Sequence, residues 1–259
     1  MVHVPVVHWI WGGGILTDGG IFGALGVKDF AGGIVVHQTA GLAALLVAIA
    51  IGPRAHRTTP PHSPGMVMMG AGMLWVGWFG FNGGSALAAN GQAAMAITVT
   101  HLSASAAAIS WAVWERIKFG RVSTIGVVTG TVAGLASITP ASGYVGPVAA
   151  LVIGGLAGVI CQEAVVLVKN RWKIDDTLDV FGVHGVGGIF GTAMVAVFGG
   201  GSWAAQLGGL AIVGAWTVVA TLGLIGLVRR ITPIRVDAET ETNGLDISVH
   251  GERAYELNS

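Results

Sequence analysis

Apolar residues run along this chain in blocks long enough to cross a bilayer, separated by short polar connections. A membrane span needs about 20 mainly apolar residues, and the blocks fall near 30–51, 65–88, 93–115, 123–140, 145–168, 180–199 and 205–228. The pattern predicts an all-α membrane protein with seven crossing helices in one compact bundle over residues 1–228 and a polar tail over 229–259. The opening MVHVPVVHWIWGGG has neither the basic start nor the cleavage site of a signal peptide, and it is taken as part of the fold.

Charge tests this division, because basic residues collect on the cytoplasmic side of a membrane protein. Arg54 and Arg57 follow the first block, Arg116, Lys118 and Arg121 the third, Lys169, Arg171 and Lys173 the fifth, and Arg229, Arg230, Arg235 and Arg253 the seventh. Lys28 alone falls on the other side. The alternation places residues near 28 outside the cell membrane and the carboxyl terminus in the cytoplasm.

Composition agrees: 53% of residues are hydrophobic and 10% charged, against about 25% charged in soluble domains, and mean hydropathy is +0.74. A formal net charge of +0, with the basic residues in separate clusters, leaves no stripe for nucleic acid. The single cysteine, Cys161, allows no internal disulfide, and its apolar setting suits packing. No nucleophile–base pair, metal-ligand cluster or cofactor motif is present, so neither an enzyme nor a cofactor is expected.

Glycine supplies 43 of 259 residues, more than twice the usual share of about 7%. Runs such as GTVAG (Gly130, Gly134) and GGLAG (Gly154, Gly155, Gly158) suit close helix packing in lipid. Beside a polar side chain, glycine also leaves room for a small ligand.

Ionisable residues inside membrane spans are costly and mark functional sites by default. Here they are His37, His101, Glu163 and His184, with Asp29 and Asp179 at helix starts. His101 suits a bond to a neighbouring helix. Glu163 is near a cytoplasmic helix end, in reach of water or Arg171. Asp29 and Asp179 each precede a helix, where a carboxylate caps free N–H groups. DFAGGIVVH and DVFGVHGVGG share an aspartate, glycines and an early histidine on helices of opposite direction. That is the mark of an inverted repeat, which puts its site at the midplane; two separately satisfied core histidines are the alternative.

WVGWFGFNGGSA sets Trp75, Trp78, Phe79 and Phe81 before Asn82 and Ser85. Trp75 and Trp78 read as members of an interfacial aromatic belt. Phe81 and Ser85 are four apart and share a helix face. Trp11, before three glycines, lies near the outer surface, where an indole face attracts a small cation.

The segments HWIWGGG, DFAGGIVVH, GWFGFNGGSA, DVFGVHGVGG and GLDISVHGERAY resemble, in order and spacing, the ammonium transporter family related to Rhesus proteins, in its bacterial or archaeal form. The resemblance implies an eleven-span inverted-repeat fold and a homotrimer with one pore per subunit conducting ammonium or ammonia. By it, Trp11, Ser85 and Asp29 belong to the outer ammonium site, Phe81 to the gate, and His37 and His184 to a pore and proton relay. The tail resembles a segment that answers to PII signalling proteins. On the same comparison the chain starts at the outer end of the fourth span, lacks the first three, and is expected not to conduct alone. A membrane-embedded ammonium sensor and a non-conducting partial transporter are the alternatives.

Overall fold

The computed structural model describes residues 1–23, 25–55 and 60–253. Arg57 and residues 254–259, which include the end of the resembling tail segment, lie outside the described residues. Helices form nearly all regular structure: α1 His3–Trp11, α2 Gly33–Ile51, α3 Pro64–Gly84, α4 Gly91–Phe119, α5 Thr124–Ile138, α6 Pro147–Arg171, α7 Phe181–Phe198, α8 Trp203–Ile231 and α9 Ala238–Asn243. Their starts follow local chemistry. Pro64 and Pro147 open α3 and α6, where a missing N–H is harmless. Asn90 and Ser123 accept the N–H groups of Ala93 and Gly126 at 3.0 and 2.9 Å to open α4 and α5. Gly120, at φ +76°, closes α4 in a left-handed conformation suited to glycine.

All seven blocks are helices, but among the described residues six are long and apolar enough to cross a membrane unaided. The exception is α5, expected over 123–140 and observed as 15 residues, about 22 Å at the helical rise. It ends just before Pro140, although Thr139 itself keeps helical dihedrals, φ −49° and ψ −50°. A turn at 139–146 follows it. Phe30 donates its N–H to the Pro140 carbonyl at 3.0 Å, and its ring meets Tyr144 edge-on at 5.6 Å, so that turn shares a face with residues 28–30.

The opposite face collects the other connections. Arg54 pairs with Asp175 at 2.9 Å, which raises the guanidinium further above its ordinary range. Glu241 of α9 accepts the Ala55 N–H at 2.7 Å and pairs with Arg235, and Arg229 donates to the Ala50 carbonyl at 2.6 Å. The tail is thus laced to the end of α2 and to the connection that follows it.

Small residues bring α4, α5 and α6 together. A side chain at Gly134 or Gly154 would collide with the Ser103 backbone, and one at Gly158 with Ser110 and Ala107. Cys161 is buried and packs with Trp111, Ala133 and Val183, in keeping with a packing role.

Candidate functional site

Two helix starts of similar design carry the histidines. The Asp29 carboxylate accepts the N–H groups of Gly32 and Gly33 on one oxygen, at 3.0 and 2.6 Å, and those of Ile34 and Val35 on the other, at 2.8 and 3.0 Å. These are donors that a helix start leaves unpaired. Eight residues after Asp29, His37 sits on a widened π turn, Gly33–Gln38, that opens α2. Such turns recur at functional positions.

The second start differs from the sequence expectation. Asp179 does not cap α7. Asp176 does, accepting the N–H groups of Val180 and Phe181 at 2.9 Å each. Asp179 takes a left-handed conformation, φ +58°, and pairs with Lys169 at 2.5 Å. The reason is geometric: α7 also opens with a π turn, Phe181–Gly185, and its free N–H groups point back to a carboxylate several residues upstream. Asp176 precedes His184 by eight residues, the spacing of Asp29 and His37. The repeat was therefore legible as aspartate and histidine eight apart.

Glycines let the two helices touch beside the rings. Gly41 lies directly against the Gly185 backbone, and a Cβ on Gly188 would sit 2.5 Å from the Gly33 carbonyl oxygen and 2.8 Å from His37 Cβ. At that separation the imidazoles meet, with His184 Nδ1 3.2 Å from His37 Nδ1 and ring centroids 5.2 Å apart. Two facing Nδ1 atoms at that distance need one proton between them, one nitrogen donating and the other accepting. The neighbouring Nε2 atoms then have opposite roles. His37 Nε2 is buried and has no hydrogen-bond partner among the described residues.

Trp78 completes the cluster and corrects the belt reading. It is buried, stacks on His37 at 5.3 Å with planes 21° apart, and lies parallel to His184 at 6.3 Å. Its indole N–H donates to Thr139 Oγ1 at 2.9 Å. The missed signal was spacing, since Trp78 is three residues before Phe81 on the face that Ser85 continues. Phe81 lies 6.3 Å from His37. His37, Trp78, Phe81, Val36 and Leu74 line a mainly apolar cavity of about 610 Å³.

Trp11 and Asp29 form a second group. The Trp11 indole donates to the Asp29 carbonyl at 2.6 Å, which fixes the ring and leaves 44% of the residue exposed. With four N–H donors on it, the Asp29 carboxylate has no lone pair turned to an ion, so any part it has in ion binding is through position and field. Ser85 donates its hydroxyl to the Phe81 carbonyl at 2.8 Å and keeps its oxygen lone pairs for an incoming donor. Among the described residues no hydrogen bond joins these two groups.

The other polar residues have structural partners. Glu163, expected to reach water or Arg171, does reach water, with 43% of its side chain exposed, but pairs with Lys118, at 2.6 Å on both oxygens, and with the Trp114 indole at 2.6 Å. His101 meets α3 ring to ring, with Trp75 at 5.3 Å and Phe79 at 6.0 Å.

The fold and the buried cluster define a multi-pass helical membrane protein. Residues 1–255 match the model of the Ammonium Transporter Family, and the chain belongs to that family. It is 47% identical to a putative ammonium transporter of Methanothermobacter thermautotrophicus over 99% of its own length and 66% of the relative's. Against ammonium transporter Amt1 of Archaeoglobus fulgidus it is 42% identical over 98% of itself and 67% of the relative. A solved structure described as a sensor Amt protein superposes with a TM-score of 0.87 at 31% identity, covering 96% of this chain and 67% of that one. Candida albicans Mep2 gives 0.82 at 33% identity, covering 92% and 58%. The chain thus spans about two thirds of the length of these relatives or less.

Proposed function

We propose that the chain serves ammonium transport across the cell membrane, with His37 and His184 lining the pore and passing a proton as one unit. The contact between the two Nδ1 atoms at 3.2 Å, beside a cavity walled by Trp78 and Phe81, carries this reading. Ammonium, with a pKa near that of a lysine amine at about 10, is almost wholly charged at neutral pH. Moving a bare cation into an apolar lumen costs several kcal/mol or more. An indole face and a hydroxyl at the mouth offset part of that, about 0.5–2 kcal/mol for the ring. Separating the proton outside and passing the neutral amine along the lumen removes the rest.

The paired rings suit the proton. A proton arriving at the accepting Nε2 of one ring lets that ring release its Nδ1 proton to the other ring, whose own Nε2 then gives one up. Trp11 and Ser85 are read as the outer ammonium site, with Asp29 holding its frame, and Phe81 as the gate. The basic face, with the tail from 229 onward as a regulatory segment, is read as cytoplasmic and residues near 28 as outside. A homotrimer in the bilayer and a PII-type protein at the tail are proposed as its partners, on the resemblance of the tail segment and the family's motifs.

The test is an ammonium-jump current in proteoliposomes, from the chain alone and from the chain joined behind the part of the Methanothermobacter relative that has no counterpart here. The joined chain should give a current that His184→Ala abolishes. A current indifferent to both histidines overturns the reading.

A further inference from the structure

We propose that Lys28 is a positioning residue for the outer ion site, holding in place the segment that carries Asp29 and the acceptor of the Trp11 indole. The proposal rests on reading Trp11 and Asp29 as that site.

Both the backbone and the side chain of Lys28 are clamped. The fully buried Gln206 of α8 accepts the Lys28 N–H on Oε1 at 2.8 Å and returns a bond from Nε2 to the Lys28 carbonyl at 2.8 Å. A side-chain amide thus does for one residue what a neighbouring strand does for a peptide. Gln206 Nε2 also reaches the Thr192 carbonyl at 3.3 Å, tying the clamp to α7. The Lys28 side chain then spans to two other connections. Nζ donates to the carbonyls of Gly199 and Gly200 at 3.3 and 3.1 Å and lies 5.3 Å from the centroid of the Tyr144 ring. Gly200, at φ +64°, sits in the left-handed conformation that this turn uses.

One lysine therefore joins three connections on the face away from the basic clusters: the entry to α2, the turn before α6 and the turn before α8. Asp29 follows it directly and supplies both the cap of α2 and the carbonyl that orients Trp11. Among the described residues no carboxylate pairs with Nζ, whose partners are two carbonyls and a ring face. Those groups suit any primary ammonium, so a free alkylammonium should be able to replace the side chain.

Hydrogen exchange at the indole of Trp11, measured by NMR on the whole chain labelled with 15N-tryptophan, tests this without relying on transport. Lys28→Ala should speed exchange at Trp11 by about tenfold, as expected when a charge-assisted tether is lost. Trp216, whose indole bonds the Val2 carbonyl, and the buried Trp78 should keep their rates. Adding n-propylammonium, which supplies the atoms removed, should slow Trp11 again, and Lys28→Arg should retain the slow rate. The proposal is overturned by an unchanged Trp11, by equal acceleration at all three indoles, or by indifference to propylammonium. Wild-type Trp11 unmoved by ammonium chloride would instead remove the outer-site reading, while selective release in Lys28→Ala would still support the tether.

Discussion

The two helix starts that carry the histidines share one register and differ in how firmly they are held. Both capping aspartates are buried, but at α2 Asp29 collects four backbone N–H groups, and the chain just before it is gripped by Gln206 and Lys28. At α7, Asp176 collects two, and the chain around it is held by ion pairs on the basic face, Arg54 with Asp175 and Lys169 with Asp179. His37 is 3% exposed and stacked on Trp78, whereas His184 is less enclosed. The difference teaches that the pair is asymmetric in support although symmetric in sequence. One ring is fixed as a reference, and the other is set against it by glycine contacts.

The comparison can be broken most severely at the caps. Asp29→Ala leaves several buried N–H groups unpaired, and at about 1–3 kcal/mol for each unmet donor it should cost more stability than any other change here. Asp176→Ala should cost about half as much, since it has two such bonds. Thermal unfolding in detergent would check the order, and an equal loss at both sites would remove the asymmetry.

The next largest effect belongs to the glycine contact. Gly41→Ala would put its Cβ 2.3 Å from the Gly185 Cα and should separate the rings, at about 1–3 kcal/mol for overpacking, and cross-linking between cysteines placed on α2 and α7 would report the separation. Trp78→Leu should cost about 1 kcal/mol of ring contact beyond lost burial and remove the indole donor to Thr139 Oγ1, whose own O–H stays on the Leu135 carbonyl. It should change the His37 imidazole chemical shifts more than those of His184. Asp179→Ala should do least: a partly exposed ion pair contributes less than about 1 kcal/mol, so it should leave the α7 start intact in hydrogen exchange. Loss of the protected Val180 and Phe181 amides in Asp179→Ala would return the capping role to that residue.

Much of this was legible in the chain. Long apolar blocks locate the crossing helices because a bilayer imposes length, and basic clusters sort the connections because the membrane imposes sidedness. The histidine pair could be read from its two segments since charge inside a membrane needs a reason. What escaped was local geometry. Asp179 is nearer to His184 than Asp176 and looked like the cap, but a π turn displaces the free N–H groups. Trp78 looked like a belt residue since its composition cannot tell a lipid face from a ring stack. Glu163 was placed near Arg171 by chain proximity, whereas the close packing of α4 and α6 brings Lys118 to it. The short α5 reads as a full span because the block drawn over 123–140 counts the capping Ser123 and the turn residues Thr139 and Pro140 with its 15 helical residues.

The central claim is that one proton lies between His37 and His184. The most direct measurement is the 15N–15N coupling across an N–H···N hydrogen bond, read by NMR on the chain in lipid with 15N-labelled histidine. The account predicts a coupling that links Nδ1 of His37 to Nδ1 of His184, with the two Nε2 nitrogens in opposite protonation states, and its disappearance in His184→Ala. Two imidazoles with independent tautomers, and no coupling between their Nδ1 atoms under any condition in which the chain is folded, would contradict it.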